Sequence, residues 1–296
     1  MDGILNINKP WGKTSFGIVA MVRRLTGERR VGHAGTLDPA ASGVLPVCLG
    51  RGTRVIEFLL DASKVYRAQI ELGVATDTYD ATGRITLKCD PSEVSQRQLE
   101  SALASFCGLI PQTPPMYSAL KYHGQRLYQL ARAGITVDRE SRRARIYRLE
   151  LIDFKPPLVT VEVESGKGIY IRSLSHDLGQ LLGCGAHLKS LVRLRYGPFD
   201  IRDAVSLPQL EDALCCNLWQ HLVYPIDIVL LTLAAVVVSD DQRRVIRNGG
   251  PVVLEDGQDG SNFEGRCRAY SQDGCFLAVL RFNPKSGQWQ PEKVFV

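Results

Sequence analysis

The alternation of apolar and polar positions marks the strands of this chain first. In KVYRAQIELG (64–73), Tyr66, Ala68, Ile70 and Leu72 fall on one side of an extended segment. LVTVEVES (158–165) repeats the pattern, with Val159, Val161 and Val163 opposed by Thr160, Glu162 and Glu164. IYRLELIDF (146–154) precedes it across Lys155-Pro156-Pro157, so the two segments are predicted to pair antiparallel with one wetted face. Helical spacing governs other stretches. FGIVAMVRRLTG sets Val19, Val22 and Leu25 at helical intervals behind a Thr14 or Ser15 cap and stops at Gly27. SEVSQRQLESALASFCG (92–108) reads as an amphipathic helix capped by Ser92, and GIYIRSLSHDLGQLLG (168–183) as a strand turning directly into a helix.

Strands outnumber the crossover helices that a parallel sheet would require, which predicts a mixed, mostly antiparallel α+β domain. From about residue 232 the character changes. SDDQRRVIRNGG is a short capped helix with acids in its first turn and glycine after its end, and short β segments follow, as in RCRAYSQDGCFLAVLRF. The chain therefore divides into a large domain, 1–231, and a small β-rich module, 232–296, a division that suits a length of 296 residues.

Composition narrows the class. With 45% hydrophobic and 23% charged residues the chain resembles an ordinary soluble globular protein. MDGILNINKPWG lacks a secretory h-region, and the longest apolar run, IDIVLLTLAAVVV from Ile226, carries Asp227 and falls short of the roughly 20 residues that span a bilayer. A cytosolic protein with no membrane partner is expected. The eight cysteines form no C-x-x-C pair, so free thiols are expected and no metal site. Charge is local: Lys121 to Glu150 holds eight basic and three acidic residues, the whole of the formal +5. Such a patch attracts a polyanion by counterion release, or is simply a solvated face.

Three short motifs do not survive inspection. Gly12-Lys13-Thr14 resembles the end of a P-loop, but Ile7 stands where the first glycine must be. DTYDATG (77–83) resembles a calcium loop whose third position is Tyr79 and whose twelfth is Lys88, not an acid. Ser175, His176 and Asp177 are adjacent and would diverge around a helix, so they make no triad.

One acid stands apart. In VGHAGTLDPAASGVLPVCLGRGTR (31–54), Asp38 is set among glycines and alanines, with His33 five residues upstream. Pro39 holds it extended, which presents the carboxylate from a rigid loop. From the residues alone, an Asx-turn in which the acid only caps a bend is an equal alternative.

This run resembles the signature of the tRNA pseudouridine synthase B family, G-H-x-G-[TA]-L-D-P-x-A-[ST]-G. NINKPWGKTS (6–15), KVYRAQIELGVATDTYDATG (64–83), TPPMYSALKYHGQRLYQLARAG (113–134) and GIYIRSLSHDLGQLLGCGAHLKSLVR (168–193) match further family blocks in order, from about Met1 to Asp203. The resemblance implies a pseudouridine synthase catalytic domain with a basic insertion at about 112–148, followed by a PUA-like RNA-binding module. It implies isomerisation of a T-loop uridine of tRNA, position 55, by a stand-alone enzyme expected to be monomeric, with no cofactor, no metal and no obligatory protein partner.

The resemblance also assigns residues. Asp38 is the catalytic carboxylate, and Arg172, in G-I-Y-I-R, its cationic partner, since an adjacent guanidinium favours the ionised nucleophile. Tyr66 stacks on the target base and lies near the proton that moves. The uridine must be flipped out, which costs a few kcal/mol of unstacking. Stacking on protein returns about 1–3 kcal/mol per base. His33 is placed near the vacated stack, Tyr170 and Leu191 line the base pocket, and Lys9 lies near it. Lys121, Arg126, Arg142, Arg143 and Arg145 are the expected RNA-binding residues of the insertion. Two other readings compete: a guide-RNA-dependent rRNA pseudouridine synthase, and a non-catalytic tRNA-binding or tRNA-folding protein that would not require Asp38, Tyr66 and Arg172 together.

Overall fold

The computed structural model describes residues 1–254 and 265–296. Ten strands build one sheet: β1 (Gly3–Lys9), β2 (Val31–His33), β3 (Ala41–Leu49), β4 (Lys64–Leu72), β5 (Gly108–Gln112), β6 (Arg142–Lys155), β7 (Leu158–Ser165), β8 (Ala186–Tyr196), β9 (Phe199–Asp200) and β10 (Val223–Tyr224). Their order is β10-β1-β3-β8-β4-β7-β6-β5, with β2 paired to β3 and β9 to β8. Every pair is antiparallel except β3 with β8. The mixed, mostly antiparallel architecture expected from the strand-rich pattern is the one that forms.

Four helices cover the sheet: α1 (Ser15–Thr26), α2 (Gln96–Ser105), α3 (Ile171–Leu181) and α4 (Leu207–Cys215). They cover its two halves differently. In the β1–β3 half both faces are buried. Leu5, Ile7, Leu45, Val47 and Leu49 pack on α1 and α4, while Ile4, Val44 and Cys48 join a second cluster with Tyr196 and Phe199. In the β4–β7–β6 half one face is buried, where Tyr66, Ala68, Ile70, Val161, Val163 and Ile146 meet Leu99, Leu103, Ile171 and Leu174. The opposite face is wet and carries the ion pairs Arg67–Glu162 at 3.2 Å, Lys189–Glu71 at 2.7 Å and Arg195–Glu164 at 2.7 Å. Alternation is therefore visible in β4 and β7. It is absent from the continuous apolar runs of β1 and β3, which the pattern did not mark as strands.

Most local expectations hold. Thr14 caps α1 by accepting from the Gly17 amide, and Gly27 ends it in the left-handed region at φ 69°. β6 and β7 pair antiparallel as expected, through Leu149↔Val163 and Leu151↔Val161. Two expectations are corrected. The cap of α2 is Ser95 and not Ser92, because Gln98 stands three residues on and closes a capping box with Ser95. The Ser92 amide instead donates to Asp90 Oδ1 at 2.9 Å. No strand precedes α3: residues 166–170 are irregular, Gly168 has φ 82°, and only Tyr170, the capping residue, is extended.

The C-terminal segment forms its own sheet of β11 (Ala234–Val238), β12 (Arg266–Ser271), β13 (Phe276–Asn283) and β14 (Gln288–Val294), in that order. Helix α5 (Asp240–Arg247), capped by Ser239, packs on it through Ile246, with Val236, Cys267, Leu277 and Trp289 in the core. Val279 and Phe295 reach the cluster of Ile4, Val44 and Tyr196, and Lys293 pairs with Glu57 at 2.7 Å, so the two sheets are packed together. No helix among the described residues is long and apolar enough to cross a membrane.

The corrected cap is testable by urea unfolding. Ser95→Ala is expected to destabilise the protein by about 1 kcal/mol, and Ser92→Ala by no more than about 0.3 kcal/mol.

Candidate active site

The loop that carries Asp38 is fixed from several parts of the chain. Ser15, at the start of α1, uses one hydroxyl twice: its Oγ donates to the Leu37 carbonyl at 2.9 Å and accepts the Leu37 amide at 2.8 Å. The Gly12 amide donates to the Pro39 carbonyl at 2.8 Å, and the Ala41 amide to the Asp38 carbonyl at 3.0 Å. From below, Arg193 of β8 is buried and donates through Nη2 to the Gly35 carbonyl at 2.9 Å and through Nε to the Val44 carbonyl at 2.7 Å. Its guanidinium lies 4.8 Å from the centre of the Tyr196 ring, and Gly35, at φ 60°, rests on that ring so closely that a Cβ would stand 2.7 Å from it. These contacts leave the Asp38 carboxylate 45% exposed and free of the Asx-turn that the residues alone allowed; it faces Arg172 instead.

Arg172 lies in the first turn of α3 with its side chain only 8% exposed. Nη2 is 2.9 Å from Asp38 Oδ2 and also donates to the Tyr117 carbonyl at 2.8 Å, while Nη1 lies 3.6 Å from Asp80 Oδ2. Asp80 is held in turn. Its Oδ1 accepts from Thr78 Oγ1 at 2.8 Å, the Thr82 amide at 3.0 Å and Thr82 Oγ1 at 2.6 Å. The residue before it, Tyr79, takes the left-handed conformation at φ 64°, unusual for a tyrosine, and stacks on His176 at 3.9 Å. A burdened backbone beside a buried arginine is the kind of local strain that collects at working sites. Sequence reasoning missed Asp80 because DTYDATG was weighed as a calcium loop, a role it does not need. Its placement opposite Arg172 comes only from the fold.

Asp38, Asp80, Arg172 and Leu191 line one cavity of about 160 Å³, together with Trp11, Ala40, Ala41, Ala81, Thr82, Leu188, Lys189 and Ser190. Leu191 is brought there by the parallel register of β8 on β3, opposite Ala41. Tyr66, Tyr170 and His33 are not among the residues that line this cavity. Tyr66 of β4 is buried in the cluster that contains Leu37, Ala41 and Leu191, and is cross-strand neighbour to Arg193. Tyr170 is half-buried, and burial raises its phenol above the usual range. Its backbone is pinned by Gln112, whose amide exchanges two hydrogen bonds with it at 2.8 and 3.1 Å. His33 ends β2; burial, then the charge of Arg193, lowers it below the usual histidine range, so it is neutral at pH 7.

Lys9 is not among the residues that line the cavity. It is wholly buried, and its Nζ donates to the carbonyls of Pro10 at 3.0 Å and Lys13 at 2.6 Å, so it braces a turn rather than lining the pocket. Burial brings its ammonium down to about 8, against the pull of Asp38 and with the help of Arg193. In the insertion, Lys121 and Arg126 pair on an exposed hairpin. Arg142, Arg143 and Arg145 do not share a face. Arg142 stands opposite Gln112 on the side that meets α3, whereas Arg143 and Arg145 alternate to the other side of β6. Among the described residues no group of three or more His, Cys, Asp or Glu could hold a metal ion.

The TruB family pseudouridylate synthase N-terminal domain model matches residues 23–171, and the tRNA pseudouridylate synthase B C-terminal domain model residues 172–231. The chain belongs to the TruB family of pseudouridylate synthases. It is 45% identical over 297 residues to tRNA pseudouridine synthase B of Dehalococcoides mccartyi strain BAV1, covering all of this chain and 97% of that one. The Clostridium perfringens strain SM101 protein of the same name is 41% identical over 289 residues, 96% of each chain. In fold, the chain superposes on a structure described as a Cbf5-Nop10-Gar1 complex with a TM-score of 0.75 and 26% identity, covering 99% of this chain and 85% of that one. TruB membership makes this chain a pseudouridine synthase, an isomerase.

The rejected triad stays apart in this TruB chain. Ser175 donates to the Ile171 carbonyl at 2.9 Å, His176 stacks on Tyr79, and Asp177 has no hydrogen-bond or ion-pair partner among the described residues. Burial raises the Asp177 carboxyl to about 6. A folded-state value above the unfolded one favours the fold while the group is protonated, below about pH 4. That advantage is lost as pH rises through about 6. Asp177→Asn is therefore expected to stabilise the protein by about 1–2 kcal/mol at pH 8 and by nothing at pH 4, read as thermal midpoints at the two pH values.

Proposed function

We propose that this protein isomerises uridine to pseudouridine in the T-loop of tRNA, at position 55, acting without a partner protein. The observation that carries the reading is the 2.9 Å ion pair between a half-exposed Asp38 and a buried Arg172 at a cavity of about 160 Å³. A cavity of this size admits one extruded base and not a stacked duplex, which requires base flipping. The reaction breaks the bond from ribose C1′ to uracil N1, turns the ring, and forms the bond from C1′ to C5. The C5 proton is given up and N1 regains one, so the sum is an isomerisation with no oxidant, reductant or group donor.

Each residue has a task in that sequence. Asp38 is the nucleophile, and Arg172 holds its carboxylate in place and balances its charge through the steps in which the base is detached. Asp80 and the Tyr117 carbonyl fix the guanidinium so that it does not follow the substrate out. Tyr66 and Leu191 bound the base, Tyr170 closes its side, and neutral His33 occupies the space the uridine leaves. Arg142 faces the same side as Tyr170 and meets the RNA backbone; Lys121 and Arg126 extend that contact on the hairpin. The 232–296 module serves as a PUA-like RNA-binding unit beyond the 1–231 catalytic domain. Support comes from the named relatives, which are tRNA pseudouridine synthases along nearly their whole length. The competing reading, an enzyme that needs companion proteins, draws on the likeness to a Cbf5-Nop10-Gar1 complex.

An unmodified T-arm stem-loop incubated with the purified chain alone separates these. Wild type is expected to form carbon-linked uridine, and Asp38→Asn to lose at least about a thousandfold in rate while still binding. Activity in Asp38→Asn, or none in wild type without added proteins, would count against the proposal. In the same binding assay, Arg142→Ala is expected to reduce the salt slope by about 1, and Arg143→Ala to leave it within about 0.3.

A further inference from the structure

We propose that Trp11 is a stacking platform for an unpaired RNA base next to the target nucleoside, an assignment that rests on reading the cavity as a tRNA uridine site. Trp11 is 73% exposed. Scattered exposed apolar side chains are ordinary; what distinguishes this one is its place. Among the large exposed hydrophobic residues described, Trp11 lines the cavity of Asp38 and Arg172, whereas Phe16, Leu109, Tyr122 and Ile135 do not.

The backbone that carries the indole is held, and the indole itself is not covered. Its turn is braced from inside by the Lys9 ammonium on the carbonyls of Pro10 and Lys13, and from the side by the Gly12 amide on the Pro39 carbonyl. Gly12, at φ 83°, permits that turn. A buried lysine thus serves to fix the backbone of an exposed tryptophan, next in sequence to the Gly12 that is bonded to the Asp38 loop. A backbone fixed in advance lowers the entropy lost when a base stacks on the ring it carries.

The surroundings fit a flat ring on a charged backbone. The rim beside Trp11 is made of Ala40, Ala81, Thr82 and Ser190, small side chains that leave the indole accessible. Lys13 is exposed in the same turn and supplies a cation for the phosphate of a stacked base, while Lys189, which lines the cavity, holds its ammonium 2.7 Å from Glu71. The carboxylates of the cavity, Asp38 and Asp80, are both turned to Arg172. A protein partner would call for a broader apolar surround than these residues supply.

The experiment uses the full chain and an unmodified T-arm stem-loop, with binding measured in the Asp38→Asn background so that no turnover intervenes. Trp289 is buried and Trp219 partly covered, so quenching of tryptophan fluorescence on adding RNA reports Trp11. Trp11→Leu is expected to abolish the quench and weaken binding about five- to a hundredfold, while Trp11→Tyr, which keeps a ring, restores most of the affinity. In the otherwise wild-type enzyme Trp11→Leu raises KM and leaves kcat within about twofold, because the indole does not touch the reacting atoms. Phe16→Ala, equally exposed but outside the cavity, is expected to change neither. An unchanged Kd in Trp11→Leu, or an equal loss in Phe16→Ala, overturns the platform. If wild type makes no pseudouridine but Trp11→Leu still loses affinity, the platform stands and only the chemistry assigned to Asp38 fails.

Discussion

A guanidinium that is almost entirely withdrawn from water needs acceptors for its donors, and the site of this protein is organised around how Arg172 finds them. It shares them among the Asp38 carboxylate, the Asp80 carboxylate and the Tyr117 carbonyl. Each lies on a different segment, and none is close in sequence to α3. An unpaired buried cation would be costly, so the loop of Asp38, the turn of Asp80 and the start of the insertion are drawn to one place by a single side chain. The partial exposure of Asp38 is the exception: one member of the network keeps a face toward the cavity.

The sheet supplies the frame for that network. Its central strand, β8, lies between β3 and β4 and joins the half buried on both faces to the half buried on one. Arg193 of β8 then reaches up to hold the Asp38 loop at Gly35 and Val44, and a side chain at Gly43 would stand 2.3 Å from the Arg193 carbonyl. The close approach of β3 to β8 therefore depends on glycine at that one position. Where the sheet is wet on one side, cross-strand pairs such as Arg195–Glu164 occupy the surface. Such exposed pairs contribute little individually; the burial of Val161, Val163 and Ile70 on the other face carries the stability.

Much of this was legible in the residues, for identifiable reasons. Strands with one wet face declare themselves by alternation, and β4 and β7 did. Strands buried on both faces do not alternate, which is why the pattern does not mark NINK and VLPVCL as strands. The α2 cap was misplaced by three residues because Ser92 and Ser95 are equivalent until Gln98 is counted. At the site, Asp38, Arg172 and Leu191 were found through a family resemblance and the fold brings them to one cavity. Asp80, Arg193 and Gln112 escaped, since a carboxylate, a cation and an amide whose partners are far along the chain leave no local signature. The Lys9 ammonium is directed at a backbone turn that no spacing rule describes.

The position of β8 has a consequence for how the protein comes into being on the ribosome. β3 and β4 are made early and are near neighbours in sequence, yet they do not pair with each other; the strand that fits between them starts only at Ala186. Contacts of such long range form late. A nascent chain can complete the Asp38 loop long before it has Arg172 to face it or Arg193 to hold it from below. The emerging polypeptide thus lacks the Asp38–Arg172 pair until more than half of it has been synthesised, and any fragment that ends before β8 carries the Asp38 loop without the Arg193 side chain that holds it at Gly35 and Val44.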